Sequence, residues 1–317
     1  MMRGIFAHRV DLDGLMSAAI YLRSFPDSEV SFVNYGRENI GRFTQTLNKA
    51  VGRLQEVVIA DFGLDDENLD SVTSALNQVI LSGIRVSWLD HHVWSEEALS
   101  RIKSVGVNLV KVPDREACGA QLVYRMFGRG DAYSGMLAEA AASTDFHMEV
   151  NDQIKALASA VDFYNNMFEP AECDTKLERL ARNISKGILM DAQTYSDFLE
   201  YRRLLKEGTE KLLRSVSVHS VGSLTVAVGF REPPLGATVA CDMIREKFPS
   251  DLQVVIKRRE ISVRRTNSAV NCAKIARALN GGGHDYAAGG ELQFEVSDDQ
   301  SREAAVKAVL DAVSRSV

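Results

Sequence analysis

The sequence has no long apolar run and no excess of positive charge. None of its hydrophobic stretches approaches the roughly 20 residues that a membrane-spanning helix needs, so we expect no contact with a membrane. The N-terminal stretch MMRGIFAHRV has too short an apolar part for a secretory signal, and the expected location is the cytoplasm. The formal net charge of −6 argues against a protein that coats long nucleic acid through bulk charge, but it leaves a phosphate-bearing substrate open.

Several sequence signatures of enzymes and metal sites are also missing. The 4 cysteines are scattered without a C-x-x-C pair, which argues against a zinc ribbon or a thioredoxin-type site and indicates reduced, mostly buried thiols. No Walker A pattern is present. The letters DFG at 61–63 occur in protein kinases, but neither an H-R-D loop nor a V-A-I-K strand accompanies them. A kinase is therefore excluded.

The chain of 317 residues, of which 45% are hydrophobic and 25% charged, suits two ordinary globular domains. Over about the first 130 residues, apolar runs alternate with amphipathic stretches, which predicts a parallel, doubly wound sheet with helices on both faces. A helical extension follows, and a second, smaller α/β pattern begins after Ser217. We predict a first domain over 1–195, a connector helix and linker over 196–218, and a second domain over 219–317.

Acidic and imidazole side chains follow three of the predicted strands, and one more acid ends a helix of small residues. Ligands of open α/β sheets bind at the carboxyl ends of the strands, where these side chains should meet. The residues are His8, Asp11, Asp13, Asp61, Asp90, His91, His92 and Asp145.

One such aspartate alone would be read as a helix N-cap, and one such histidine as an ordinary core or surface residue. Together they predict a metal centre, because mixed histidine and carboxylate ligands suit Mn²⁺, Mg²⁺, Zn²⁺ or Co²⁺. The carboxylates suffice for two metals bridged by one aspartate, an arrangement that favours in-line attack on phosphorus.

The order of these motifs resembles a known family. HRVDLDG, ADFG, LDHH and STD, followed by SVRR and GGGHDYAAGG, are similar to the DHH-family phosphoesterases with a DHH-associated C-terminal domain. The resemblance covers nearly the whole chain. In the first motif only Arg9 and Val10 separate His8 from Asp11, where many members have three residues. RecJ-type exonucleases also vary this motif, so we interpret the difference as subgroup variation.

The resemblance implies roles for the residues of the first domain. It implies two divalent metal ions, with Mn²⁺ favoured over Mg²⁺ or Co²⁺, and a hydroxide shared by both metals as the nucleophile. Asp61 would bridge the metals, His92 would contact the phosphate or the attacking water, and Asp90 would orient a histidine through its ring N–H. The first metal would be held by His8 and Asp11, and the second by Asp13, His91 and Asp145.

For the second domain the resemblance implies substrate binding, with the active site in the cleft between the domains. Glycines would let the backbone approach a phosphate with free N–H groups, while a histidine and an arginine would supply donors. The predicted substrate-binding residues are Arg264, Gly281, Gly282, Gly283, His284, Ala287 and Gly289. Read alone, Arg264 and Arg265 could lie on a solvated strand face and GGG could be a loose turn. His147 and His219 receive no role.

The expected function is hydrolysis of short oligonucleotides or nucleotide phosphates. The size of the chain resembles the compact nanoRNA-degrading oligoribonucleases, which also remove the 3′-phosphate of adenosine bisphosphate. An exonuclease and a cyclic dinucleotide phosphodiesterase are the nearest alternatives. The expected partner is a short single-stranded nucleic acid or a nucleotide, and a homodimer fits the resemblance.

Two further alternatives belong to other classes of protein. The first is an exopolyphosphatase or family II inorganic pyrophosphatase, against which GGGH argues. The second is a nucleotide- or metal-binding regulatory module without activity. The intact set of acids and histidines argues against such a degenerate relative.

Overall fold

Residues 2–113 and 115–316 are described by a computed structural model of the chain. They divide into two compact units, the first of which ends at Leu199 and the second of which begins at Glu200. The strands of the first unit are β1 (Arg3–His8), β2 (Glu29–Val33), β3 (Glu56–Ala60), β4 (Arg85–Asp90) and β5 (Asn108–Lys111). They form one sheet in the order β2-β1-β3-β4-β5, and every pair is parallel.

Four helices join these strands, as the alternation of apolar and amphipathic stretches predicts. They are α1 (Leu12–Ser24), α2 (Arg37–Lys49), α3 (Leu69–Leu81), which follows a short 3₁₀ turn at Asp66–Asn68, and α4 (Glu96–Ser104). Every residue of α1 from Leu12 to Leu22 is buried, because the helix lies between the sheet and later helices of the unit. The N-terminus of α1 is therefore held deep in the unit, beside the end of β1.

The helical extension consists of α5 (Gly119–Val123) with a π-helical turn at Tyr124–Gly128, α6 (Ala132–Asp145), α7 (Asp152–Met167), α8 (Pro170–Ser185) and α9 (Ala192–Ser215). The helix α8 was not predicted from the sequence. This helix buries Cys173, Leu177 and Leu180 at helical spacing, and Pro170 occupies a position at its start where proline is favoured. Its high content of charged residues conceals that apolar stripe.

The second unit contains a six-stranded sheet in which β6 (Ser217–Val221), β7 (Leu224–Phe230), β8 (Leu252–Lys257), β9 (Glu260–Arg265), β10 (Gly282–Gly283) and β11 (Ala287–Glu291) take part. Their order is β10-β11-β9-β8-β7-β6, and among the described residues only β7 and β8 pair in parallel. Its helices are α10 (Ala237–Lys247), α11 (Cys272–Ala278) and α12 (Asp299–Ser314).

The architecture confirms the predicted fold class, a parallel N-terminal sheet with a helical extension and a smaller α/β domain. Two details of the second unit differ from the prediction. The strand β6 was not predicted. The segment GELQFEV at 290–296 has the pattern of a strand and was predicted as one, but the strand lies earlier, at Ala287–Glu291. Among the residues described, no helix combines the length and the apolar character that crossing a bilayer requires.

Candidate metal centre

The candidate centre lies at the carboxyl ends of three neighbouring strands of the first sheet. His8 ends β1, Asp61 directly follows β3, and Asp90 ends β4 with His91 beyond it. Parallel pairing brings these strand ends to one edge of the sheet. All four side chains are buried, which removes most of the water that would otherwise solvate them.

The first group of potential ligands surrounds His8. Its Nδ1 lies 3.4 Å from Asp11 Oδ2 and 3.7 Å from Asp61 Oδ2. Asp11 is the N-cap of α1, where its carboxylate accepts the backbone N–H groups of Asp13 and Gly14. The cap fixes one oxygen of Asp11 and leaves the other facing His8.

The second group surrounds His91. Its Nε2 lies 3.3 Å from Asp61 Oδ1, 3.7 Å from Asp13 Oδ2 and 3.8 Å from Asp145 Oδ2. Asp145 is the last residue of α6. The carboxylate of Asp61 thus faces His8 with one oxygen and His91 with the other, which is the arrangement a bridging carboxylate needs.

Asp13 and Asp61 are held by backbone features that the sequence does not reveal. Both oxygens of Asp13 accept N–H groups at the start of α5, from Gly119 at 2.6 Å and Ala120 at 2.7 Å. A Cβ at Gly119 would lie 2.5 Å from Asp61 Cβ, so the site requires glycine there. Asp61 itself has a φ of 56°, a left-handed conformation that non-glycine residues rarely adopt and that clusters at functional sites.

Asp90 holds His92 in place. Its Oδ1 lies 2.8 Å from His92 Nδ1, and its Oδ2 accepts the backbone N–H of His92 and the indole N–H of Trp94 at 2.7 Å. His92 Nδ1 is 4.0 Å from Asp61 Oδ1. With Asp90 accepting at Nδ1, the remaining ring nitrogen, Nε2, is the one left for other partners.

An aromatic wall lies behind His8. Tyr35 accepts the N–H of Gly63 at 3.1 Å, stacks on Phe62 at 5.0 Å between centroids, and meets the ring of His8 edge-on at 5.1 Å. Packing of this kind restricts the rotamer of His8. Tyr35 comes from the end of β2, so its role could not be inferred from the motif that contains His8.

The pKa values of the clustered side chains are strongly shifted by burial and by their neighbours' charges. Burial lowers the pKa of His8, but the carboxylates of Asp11 and Asp61 outweigh it and raise that pKa to about 10. Burial, together with the neighbouring charge of Asp11, raises the pKa of Asp61 to about 6. The pKa of Asp13 is raised well above its ordinary value by burial and by Asp61. Carboxylates crowded in this way need a proton or a cation between them.

The cluster fits a divalent cation. Both ring nitrogens of His8 and the Oδ2 of Asp61 are buried without a hydrogen bond, although buried polar atoms are normally satisfied. Three sets of ligand atoms lie within 4.8 Å of one another: Asp61, His91 and His92; His8, Asp11 and Asp61; and Asp13, His91 and Asp145. Each set mixes imidazole and carboxylate, as Mn²⁺ and similar ions prefer.

In the second unit, Arg264 and Ala287 are paired across β9 and β11. The guanidinium of Arg264 donates to Thr238 Oγ1 at 2.7 Å. Arg264 therefore has a protein partner and is not simply a solvated residue on a strand face. His284 is exposed, and its ring stacks in parallel on Tyr286 at 5.3 Å. Tyr286 was not among the predicted site residues.

The glycines of GGGH make backbone contacts within the second unit. The N–H of Gly281 donates to Ala276 O at 2.8 Å, and the N–H of His284 donates to the carbonyl oxygen of Ala287, so these two amides are not free for a phosphate. Gly282 and Gly283 pair with Gly289 and Ala288. A Cβ at Gly281 would lie 1.9 Å from Gly289 O, so glycine is needed there for backbone packing.

The two unassigned histidines differ in position. His147 has a φ of 57° and lines a cavity of about 200 Å³ together with Asp11, Asp13, Asp145 and Asp162. His219 lies on β6, where its Nε2 is 2.7 Å from Ser217 Oγ. His147, two residues after the predicted ligand Asp145, therefore adjoins the candidate centre.

Comparison with known proteins bears on the second unit. Residues 222–315 match the family model of the DHHA1 domain. The match confirms the predicted DHH-associated domain and, with it, the resemblance to the DHH-family phosphoesterases.

Two solved structures are similar over 98% of this chain. One is an uncharacterized protein from Helicobacter pylori, at 17% identity over 100% of that chain with a TM-score of 0.46. The other is an exopolyphosphatase-related protein from Bacteroides fragilis, at 14% identity over 92% of that chain with a TM-score of 0.45. A search of curated proteins found no match.

Proposed function

We propose that the protein is a phosphoesterase with two divalent metal ions that hydrolyses short oligonucleotides or nucleotide phosphates. The observation that carries this proposal is Asp61, whose two oxygens face His8 and His91 from between two imidazole–carboxylate groups. The DHHA1 match supports the class of enzyme. Mn²⁺ is the metal we favour, because the ligands are imidazoles and carboxylates.

The ligand assignment follows the geometry of the two groups. His8 and Asp11 would hold one ion, Asp61 would touch both, and the second ion would take Asp13, His91 and Asp145. When bound, the two cations would polarise the phosphoryl group, favour ionisation of the attacking water and neutralise the charge that develops on phosphorus. Binding of the cations would displace the protons of the crowded carboxylates into solvent.

His92 would act on the substrate. Burial lowers its pKa, but the hydrogen bond with Asp90 and the charges of Asp90 and Asp61 together outweigh burial and raise that pKa, which favours the imidazolium. Because Asp90 accepts from Nδ1, the proton on Nε2 is directed away from Asp90 and can be donated to a phosphoryl oxygen or a leaving oxygen. Trp94 holds Asp90 in this orientation.

The second unit would bind the rest of the substrate. Arg264 offers a guanidinium for a phosphate, and His284, stacked on the exposed ring of Tyr286, forms an aromatic surface suited to a nucleobase. The chemistry available therefore favours a substrate with both a phosphate and a base, such as a short oligoribonucleotide or adenosine 3′,5′-bisphosphate, in an oligoribonuclease- or exonuclease-like reaction.

A substrate panel with Mn²⁺ tests the proposal. It would contain short oligoribonucleotides, short oligodeoxynucleotides, adenosine 3′,5′-bisphosphate, a cyclic dinucleotide, polyphosphate and pyrophosphate, with the Asp61→Asn variant as the inactive control. We expect turnover of at least one nucleotide substrate by the unmodified chain. Turnover of pyrophosphate or polyphosphate alone would instead identify a phosphoanhydride hydrolase. Turnover by Asp61→Asn at a rate close to that of the unmodified chain would contradict the bridging role.

A further inference from the structure

A second concave site lies in the second unit, at the carboxyl ends of β7 and β8. It has a volume of about 600 Å³, and every residue that lines it follows Glu200. The ends of β7 and β8 supply Phe230, Arg231, Lys257 and Arg258. In the described part of this sheet these are the two strands that run in parallel, so their carboxyl ends form the kind of edge where α/β sheets bind ligands.

The lining of this pocket is strongly cationic. One carboxylate, Glu232, faces six cationic side chains, which are Lys211, Arg214, Arg231, Lys257, Arg258 and Arg302. A volume of several hundred cubic ångströms with this charge fits an anion larger than phosphate alone.

Each of the six cations has a carboxylate partner, but five carboxylates serve six cations, so one positive charge is left over. Lys211 pairs with Glu232, Arg214 with Glu210 and Arg302 with Asp299. Arg231 and Lys257 share a single carboxylate, Glu260, at 3.2 Å and 3.0 Å. Arg258 pairs with Glu295, but both side chains are more than half exposed. Exposed pairs of this kind are weak because water screens them, so an anionic ligand can replace the carboxylate.

The floor of the pocket is apolar. Phe230, Pro233, Ile256 and Val296 contribute to it, and the guanidinium of Arg302 lies over the ring of Phe230 at 5.4 Å from the centroid. A ligand that placed a flat apolar group on this floor could direct its charged end to the arginines. That combination is the one a nucleotide offers, with a base and a phosphate.

The pocket is separate from the residues predicted to bind substrate in the same unit. β8 and β9 are antiparallel, and Arg264 pairs with Gln253 near the start of β8, whereas Lys257 ends that strand. Four residues of strand separate the two positions, or roughly 13 Å along β8. Arg264 and the pocket therefore lie toward opposite ends of the strand.

We propose that this pocket binds a phosphorylated small molecule of mononucleotide size, with the phosphate on the arginines and the base on the apolar floor. The inference does not rest on the proposed function, because none of the residues that line the pocket belongs to the candidate metal centre. Binding there would place a second nucleotide site in the chain, independent of hydrolysis.

Calorimetric titration of the full chain with AMP tests this assignment. The titration is done on the Mn²⁺-loaded protein and repeated with EDTA, because binding at the pocket should persist without metal. The test variant is Arg258→Glu with Arg302→Glu. Arg245→Glu on α10 is the matched control, since it reverses one exposed charge outside the pocket.

We expect the double variant to raise the dissociation constant for AMP in EDTA at least tenfold. The control should change it less than threefold, and so should a variant with lysine at both positions, which keeps the charge. Adenosine should bind at least tenfold more weakly than AMP, and so should inorganic phosphate. Unchanged AMP binding by the double variant would overturn the pocket assignment, and phosphate binding as tightly as AMP would overturn the nucleotide-sized ligand.

Discussion

The carboxyl ends of the parallel strands carry opposite chemistry in the two units. In the first sheet they end in His8, Asp61 and Asp90, all buried. In the second they end in arginines and lysines, of which Arg258 has three quarters of its side chain exposed, at 76%. The same backbone arrangement therefore presents one edge suited to cations and another suited to anions.

The difference in burial decides how strongly the side chains of each edge depend on a bound ligand. Asp13 and Asp61 lie at 1% exposure beside each other's charge, so their side chains need a proton or a metal ion even at rest. At the second edge Arg258 is hydrated and can exchange partners at little cost, whereas Arg231 is largely buried. The comparison predicts large effects from changes in the first edge and small effects on folding from changes in the second.

The largest effect is expected from Asp61→Asn. This change keeps the shape of the side chain but removes the charge between His8 and His91, so both metal positions should weaken. We expect kcat/KM to fall by at least about 10³-fold, which corresponds to about 4 kcal/mol of transition-state stabilisation. Metal content, measured by mass spectrometry after desalting, should fall with it.

Asp90→Asn is the matched comparison, because Asp90 contacts His92 rather than the two metal groups. Activity should fall by about 10- to 100-fold as His92 loses its orientation, while bound metal stays near the unmodified level. Loss of metal in Asp90→Asn to the same extent as in Asp61→Asn would contradict the separation of ligand and orienting roles.

Gly119→Ala should have the next largest effect. The added Cβ would lie 2.5 Å from Asp61 Cβ and 3.1 Å from Asp13 Oδ2, and neither partner can move without disturbing the centre. We expect a loss of about 3 kcal/mol in the free energy of unfolding, measured by urea denaturation. Gly41→Ala in α2 is the control, because nothing lies within 4 Å of its Cβ and it should be stabilising by about 0.5–1 kcal/mol. Equal stability of the two variants would show that α5 does not pack on Asp61 as described.

Much of this centre could be predicted from the sequence, because the local hydrophobic pattern shows where each parallel strand ends and which residues follow it. His8, Asp61 and His91 are brought together simply because β1, β3 and β4 are neighbours. Gly119 and Tyr35 could not be predicted in the same way, because each reaches the centre from a distant part of the chain. Nothing near Gly119 in sequence reveals that its backbone abuts Asp61.

The second unit shows a different limit. The sequence could not show that the N–H of Gly281 donates to Ala276 O of α11, or that Gly282 and Gly283 pair with β11, because these contacts form only in the folded unit. The phosphate-binding role of the glycines stays a prediction. The active site predicted in a cleft between the domains stays a prediction. The cationic pocket was not predicted, because its arginines are spread from α9 to α12 and converge only in the folded unit.

Metal removal should have a smaller effect on stability, with a pH dependence of definite sign. A metal ion present at about 30 times its dissociation constant stabilises the folded chain by about 2 kcal/mol, and EDTA should remove that contribution. Without metal, the folded-state pKa of Asp61 is about 6 instead of 3.8, and that of His8 is about 10 instead of 6.5. Both folded-state values are raised, so both groups contribute stability that is lost as the pH rises through them.

The stability of the metal-free chain should therefore fall as the pH rises from about 4 to about 10, because the folded state binds more protons than the unfolded state. Asp61 contributes between pH 3.8 and about 6, and His8 between pH 6.5 and about 10. With Mn²⁺ the trend should reverse over the same range, since the cation replaces those protons and binds better as the pH rises. Thermal unfolding at several pH values, with Mn²⁺ and with EDTA, measures both slopes. A metal-free chain that gains stability toward pH 8 would contradict the crowding of charges at the first edge.

The smallest effect on folding is expected from the second edge. Arg258→Glu and Arg302→Glu reverse two charges of the cationic pocket, yet the pairs they break, with Glu295 and Asp299, are exposed. Each should change the free energy of unfolding by no more than about 0.5 kcal/mol in either direction, as measured by urea denaturation. A loss of more than about 2 kcal/mol would mean that these arginines stabilise the fold. The second edge would then resemble the first, whose buried side chains need a bound cation or proton, and the proposed difference between the two edges would be wrong.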